Sequence, residues 1–139
     1  MPFANPSPDE IRALLARVKT IAVVGLSPRP DRPSHTVARA LQRFGYRIVP
    51  VRPALTEVLG EPAYARLTDI PFAVDLVDVF RAPEHVPAIV EEALAIGAPA
   101  IWLQDGVVQE AAAERARAAG LTVVMDRCIY RDYMTLMRP

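Results

Sequence analysis

Short runs of consecutive apolar residues alternate along this chain with stretches in which apolar side chains return every third or fourth position. The runs occupy Ile21–Gly25, Arg47–Val51, Val74–Phe80, Ala100–Gln104 and Leu121–Met125. Each has the length of a strand, and the first, Ile21–Gly25, is apolar on both faces, as suits a parallel strand covered by helices above and below. Around and between the runs, helical spacing is kept by Ile11, Leu14, Leu15 and Val18, then by Val37, Leu41 and Phe44, then by Val86, Ile89, Val90 and Ala93. An alanine-rich segment from Gln109 to Ala119 adds another helix. Strand and helix taken in turn predict an α/β protein built on a parallel sheet of five strands.

The element ends carry their own punctuation. Ser7, Pro8 and Glu10 spell a helix start: a hydroxyl N-cap, a proline at the first helical position and a glutamate able to close a capping box. Gly45 and Gly120 stop helices, and Pro83 with Glu84 opens one. Pro50 cannot donate to a ladder, so it is expected near the end of its strand, where the chain leaves the sheet. Residues 53–71 have no clear period and serve as the crossover to the third strand, with single helical turns expected in T-E-V-L and A-R-L-T-D. Asp78, inside an apolar strand, is the anomaly, because a buried carboxylate calls for hydrogen bonds or a cation. The tail, residues 129–139, gathers Tyr130, Tyr133, Met134, Leu136 and Met137 and is expected to fold back over the sheet, or to meet a second subunit or a partner protein.

Composition narrows the classes. A chain of 139 residues, 52% hydrophobic and 23% charged, fits one domain over residues 1–139 with a substantial core. Its formal net charge of zero offers no basic field for nucleic acid. No apolar run approaches the roughly 20 residues of a membrane span, and the N-terminus lacks the basic and apolar regions of a secretory signal, so a cytoplasmic protein is expected. Cys128 is the single cysteine, which excludes an internal disulfide, and with only His35 and His85 beside it no metal centre is expected.

The chemistry concentrates in I-A-V-V-G-L-S-P-R-P-D-R-P-S, a strand followed by a loop and the start of a helix. The positions of the dinucleotide pattern G-x-G-x-x-G read Gly25, Ser27 and Pro30, so only the first glycine remains and plain NAD binding is weakened. In its place stand the Ser27 hydroxyl, Ser34 as a candidate N-cap, and the guanidiniums of Arg29 and Arg32, beside a helix whose first N–H groups face the same edge. That is a set of donors for an anion; the plainer alternative is a solvated, proline-stiffened connection. Arg52 closes the second strand where an NAD-binding domain usually places an acid. A cation there favours a ribose phosphate, such as the 2′-phosphate of NADP or the 3′-phosphate of CoA, or else simply stands in water.

The same segment, followed by I-V-P-V-R-P, D-L-V-D-V-F-R, A-I-W-L-Q-D-G and V-V-M-D-R-C, resembles the small stand-alone CoA-binding proteins, which are similar to the N-terminal CoA-binding domain of the succinyl-CoA synthetase α subunit. The resemblance runs from Thr20 to Cys128 in order and spacing. It implies a Rossmann-like, doubly wound sheet with helices on both faces, and coenzyme A or an acyl-CoA as ligand. It further implies that Ser27, Arg32 and Ser34 hold the pyrophosphate, with Gly25 also at the cofactor site, and that Arg52 meets a phosphate or the adenosine end. Val79, Phe80 and Arg81 match the segment lining the nucleotide and pantetheine, and Leu103, Gln104, Asp105 and Gly106 match a further wall. Two departures stand out: the phosphate loop is richer in proline than the synthetase's, and Arg52 replaces what is often a small polar residue. The synthetase's phosphorylated histidine belongs to a second domain without counterpart in this sequence, so ligation is not implied.

No nucleophile, base and orienting group occur at a motif's spacing. His35, in the first turn of its helix, suits a phosphate donor or a surface histidine, and His85 is expected to be exposed. Cys128, beside Arg127, is either a reactive thiol or a small buried hydrophobe. The expected function is CoA binding without catalysis of its own; the alternative is an NADP-binding oxidoreductase fragment or accessory subunit. A receiver-like signalling domain is disfavoured, since the first strand ends in Gly25 rather than in acidic metal ligands.

Overall fold

The computed structural model of the protein describes residues 3–137. Its main sheet holds β1 (Thr20–Val24), β2 (Arg47–Val51), β5 (Leu76–Val79), β6 (Ala100–Leu103) and β7 (Thr122–Met125), all parallel, in the order β2-β1-β5-β6-β7. The helices are α1 (Pro8–Arg17), α2 (Pro33–Arg43), α3 (Val86–Ala95), α4 (Glu110–Ala118) and α5 (Ile129–Leu136). The expected Rossmann-like arrangement of five parallel strands with helices on both faces is the one found.

Strand alternation sorts the core into two layers. Ala22, Val24, Val77, Val79, Ile101 and Leu103 face α3 and α4, where Val86, Val90, Ala113 and Ala116 meet them. Ile21, Val23, Leu76, Trp102 and Val124 face α1, α2 and α5, against Leu14, Leu41 and Ile129. At the head of α1 the capping box is complete, Glu10 N–H donating to Ser7 Oγ at 3.2 Å and Ser7 N–H to Glu10 Oε1 at 3.0 Å. The start of β1 is pinned by Asp75, whose carboxylate accepts from the N–H groups of Lys19 and Thr20 at 3.0 and 2.9 Å.

Several local expectations change. Pro50 is the penultimate residue of β2, near the strand's end as expected, but the chain has not yet left the sheet there: Pro50 stands opposite Val23, and Val51 continues the pairing to Val24. The strand tolerates it because β2 is at the edge. The Pro50 carbonyl points outward and accepts from Tyr64 N–H at 3.0 Å, so the missing proline donor also lies on the outer side, away from β1. T-E-V-L is not a helical turn but part of a hairpin, β3 (Glu57–Val58) against β4 (Glu61–Pro62), whose two-residue turn holds Leu59 and Gly60 at φ of 56° and 76°. Positive φ at both positions is the primed turn that matches strand twist. A-R-L-T-D does contain a single 3-10 turn, Leu67–Asp69.

Asp78 has no hydrogen-bond partner among the described residues. It is fully buried between Val23 and Trp102, both carboxylate oxygens lack a hydrogen bond, and desolvation pushes its pKa well above the carboxylate range, which favours the protonated form. The tail folds back as α5, where Tyr133 stacks on Phe44 at 3.9 Å between ring centres; residues 138–139 lie outside the described residues. At the far edge of the sheet the side chain of Asn5 pairs with the backbone of Met125, donating to its carbonyl at 2.9 Å and accepting from its N–H at 2.7 Å.

Candidate functional site

The chain runs from β1 to β2 on one side, then returns to place β5 on the other, so strand order reverses at β1. In an open α/β sheet such a point leaves a crevice beyond the carboxyl ends of the strands. Gly25, at φ 87°, turns the chain into it, held by a hydrogen bond from its N–H to Val51 O at 2.9 Å, while Phe80 N–H bonds Val24 O at 2.9 Å on the other side. The crevice has a chamber of about 560 Å³ between the loop and Arg52, and a neighbouring one of about 480 Å³ between Arg52 and Arg81.

Ser34 is not the N-cap. Arg32 takes that position without a side-chain bond, Pro33 is the first helical residue, and Ser34 is the second. The Ser34 hydroxyl instead accepts from Ser27 N–H at 2.9 Å, and the Ser27 hydroxyl accepts from Arg29 N–H at 3.1 Å. Both serines are buried, yet both line the chamber. Each hydroxyl has accepted one backbone N–H and keeps its own hydrogen for donation.

The charges of the crevice are uncompensated. Arg32 and Arg52 border the first chamber and Arg81 the second, and none of them forms an ion pair among the described residues. Arg29 is exposed and paired with Asp31 at 3.3 Å. A groove between α1 and α5 also carries arginines, but there Arg127 is bidentate with buried Asp132 at 2.6 and 2.7 Å, and Arg131 with Asp105 at 2.8 Å. Among the described residues, the crevice beyond β1 gathers unpaired guanidiniums with hydroxyl donors, which is what an anionic ligand needs.

The candidate wall divides by strand alternation. Val79 and Leu103 are core side chains facing α3 and α4 and line none of these chambers. Phe80 borders all three chambers, the third of about 490 Å³ being bounded also by Arg81, Gln104, Asp105 and Cys128. The hydrogen bond from Arg131 holds the Asp105 carboxyl below its usual pKa. Gly106 lies outside the chambers, its N–H bound to Asp126 Oδ1 at 2.7 Å. Pro33, Val37, Val107 and Cys128 join the wall without having been foreseen there, because strand ends and helix starts remote in sequence meet only in the fold. His35 is half-buried away from the chambers and His85 is exposed.

A CoA binding domain family model matches residues 19–134. The chain belongs to this family. YneT of Bacillus subtilis is 49% identical over 125 residues, covering 90% of this chain and 93% of YneT. A solved structure from Pyrococcus horikoshii OT3 superposes with a TM-score of 0.93 at 36% identity, covering 99% of this chain and 96% of that one. An ADP-forming acetate–CoA ligase of Archaeoglobus fulgidus is 35% identical over 74 residues, which are 53% of this chain and 11% of the ligase. The recognised likeness to CoA-binding domains therefore stands as family membership. Membership of the CoA-binding domain family agrees with the Rossmann-like sheet.

Proposed function

We propose that the protein binds coenzyme A, or an acyl-CoA, in the crevice beyond β1, β2 and β5, and contributes no catalysis of its own. The observation that carries this is the crevice's polarity: Arg32, Arg52 and Arg81 stand unpaired around its mouth, while past Phe80 it continues into an apolar chamber. CoA has the same asymmetry, phosphates at one end and a pantetheine arm at the other. The pyrophosphate sits at Ser27, Ser34 and Arg32, the 3′-phosphate faces Arg52, and the arm passes Phe80 and Arg81. Similarity to part of an acetate–CoA ligase supports the same ligand.

Calorimetric titration with CoA and NADP side by side tests the proposal. CoA is expected to saturate one site, and at about 100 times its Kd to add roughly 2.7 kcal/mol to the folded state. Saturable NADP binding without a CoA response would overturn the reading in favour of an NADP-dependent accessory domain.

A further inference from the structure

Past Phe80 the crevice contains a donor with nothing to bond. Gln104 is 4% exposed and lines the third chamber. Its carbonyl oxygen accepts from Ile129 N–H at 3.2 Å, which settles which end of the amide is oxygen. The amide nitrogen on the other branch has no hydrogen-bond partner among the described residues. Nor is it sealed in the core, for among the described residues the only enclosed orphan atoms belong to Asp78. Its N–H donors therefore open into the chamber, whose remaining wall includes Val37, Val107 and the half-buried Cys128. A buried donor facing an apolar space matches a ligand that brings a carbonyl into that space.

We infer that Gln104 donates to an amide carbonyl of the pantetheine arm, and that the arm delivers the CoA sulfur to Cys128, making Cys128 a site of thiol–disulfide exchange with CoA disulfide. The inference rests on the CoA reading above and extends it. One half of CoA disulfide occupies the crevice. The Cys128 thiolate, its proton released to water, attacks the sulfur of that half, and a new bond joins the two sulfurs. The original S–S bond breaks, and the other half leaves as CoA thiolate with the bonding electron pair. Cys128 sulfur is oxidised and the departing sulfur reduced, so no other oxidant is consumed. Asp105 and Pro33 are exposed at the chamber's border, leaving the departing half an exit to solvent. The Gln104–Ile129 bond fixes the residue after Cys128 to the end of β6, so donor and sulfur keep their relative places.

The test exposes the reduced protein to CoA disulfide, and separately to pantethine, the matching disulfide without nucleotides. Adduct formation is followed by intact mass without reductant. Because Cys128 is the only cysteine, any thiol-dependent adduct reports this site, and Cys128→Ser is expected to give none. CoA disulfide is expected to react roughly tenfold or more faster than pantethine, since the nucleotide holds the reacting sulfur in place. Adenosine 3′,5′-bisphosphate should slow it, and dithiothreitol should release one CoA per chain. Gln104→Leu is expected to lower the CoA disulfide rate toward that of pantethine. Equal rates for the two disulfides, or no adduct while calorimetry still shows CoA bound, would overturn the inference and leave the CoA reading intact. Failure of CoA to bind at all would remove both.

Discussion

A β-carbon built on Gly25 would stand 2.5 Å from the carbonyl oxygen of Phe80. The ends of β1 and β5 thus approach each other so closely that the floor of the crevice admits only hydrogen at this position. The glycine's φ of 87° adds a conformational reason to the steric one.

Gly25→Ala is therefore expected to cost more than another positive-φ replacement. Gly45, at φ 103°, has no atom within 4 Å of a built β-carbon, so Gly45→Ala reads the conformational penalty alone, about 1–2 kcal/mol. Gly25→Ala should add about 1–3 kcal/mol for the forced shift of Phe80 and Arg81. Urea unfolding of the two variants checks the difference, and CoA titration should show the loss of affinity for Gly25→Ala only.

Arg52 and Arg32 should part company over the 3′-phosphate. Arg52→Ala is expected to weaken CoA more than dephospho-CoA, by about 1–3 kcal/mol for a charge-assisted bond. Arg32→Ala should weaken both ligands alike. Because each variant is compared with itself across two ligands, general damage to the fold cancels. Equal losses for Arg52→Ala would move the 3′-phosphate to another cation, with Arg81 the remaining unpaired one in the crevice.

Asp78 predicts a pH dependence of unusual sign for a carboxylate. Its folded pKa lies well above the unfolded value near 4, so the native state holds a proton that the unfolded state releases. Stability from this group is complete below the unfolded pKa and falls as pH rises toward the folded one, by about 1.4 kcal/mol per pH unit. Asp78→Asn should abolish that slope in chemical denaturation measured across the window. Asp78→Val, which removes the unbonded oxygens, should raise stability at neutral pH by about 1–3 kcal/mol.

Beside the fully buried Ile129, Tyr133 is one of the side chains that attach the C-terminal helix. It stacks on Phe44 and meets Tyr46 edge-on at 5.9 Å, while the Tyr46 hydroxyl donates to Leu15 O at 2.6 Å and burial pushes its pKa up to about 12. Tyr133→Ala is expected to lower unfolding free energy by about 2–3 kcal/mol. Tyr130, stacked more distantly on Phe44 at 6.0 Å and 40% exposed, should cost less than half of that when replaced by alanine. Thermal melts of both variants decide it; equal losses would show that α5 is held no more through Tyr133 than through Tyr130.

The sheet was legible because its signal is local. Runs such as Ile21–Val24 are apolar on both faces, and the helices between them carry their own caps, Ser7 and Glu10 being the plainest. The hairpin at Leu59 was not legible, because leucine is a poor residue for a left-handed turn and the Asn-Gly signature is absent. Pro50 was rightly placed near its strand's end but not yet out of the pairing, since whether a missing donor matters depends on which side of the strand faces a neighbour. Within the candidate site, the segment Val79–Arg81 was located as a stretch, but alternation divides it, sending Val79 inward and Phe80 to the crevice. Ser34 could be placed near the loop, yet its bond to Ser27 N–H, rather than a capping role, follows only from the backbone's course. The gathering of Gln104 and Cys128 about one chamber depends on β6 and β7 being neighbours, which no spacing in the chain states.

Both outer strands of the sheet have part of their outer backbone edge occupied. Tyr64 exchanges hydrogen bonds with Pro50 and Arg52 along β2, and Asn5 imitates a strand residue beside Met125 on β7. These local pairings occupy the ladder positions that a foreign strand would seek first. Recognition of another chain by strand addition is therefore disfavoured. An association of this protein would be written in side-chain shape and charge, and so would be open to change by single substitutions on the surface without disturbance of the sheet beneath.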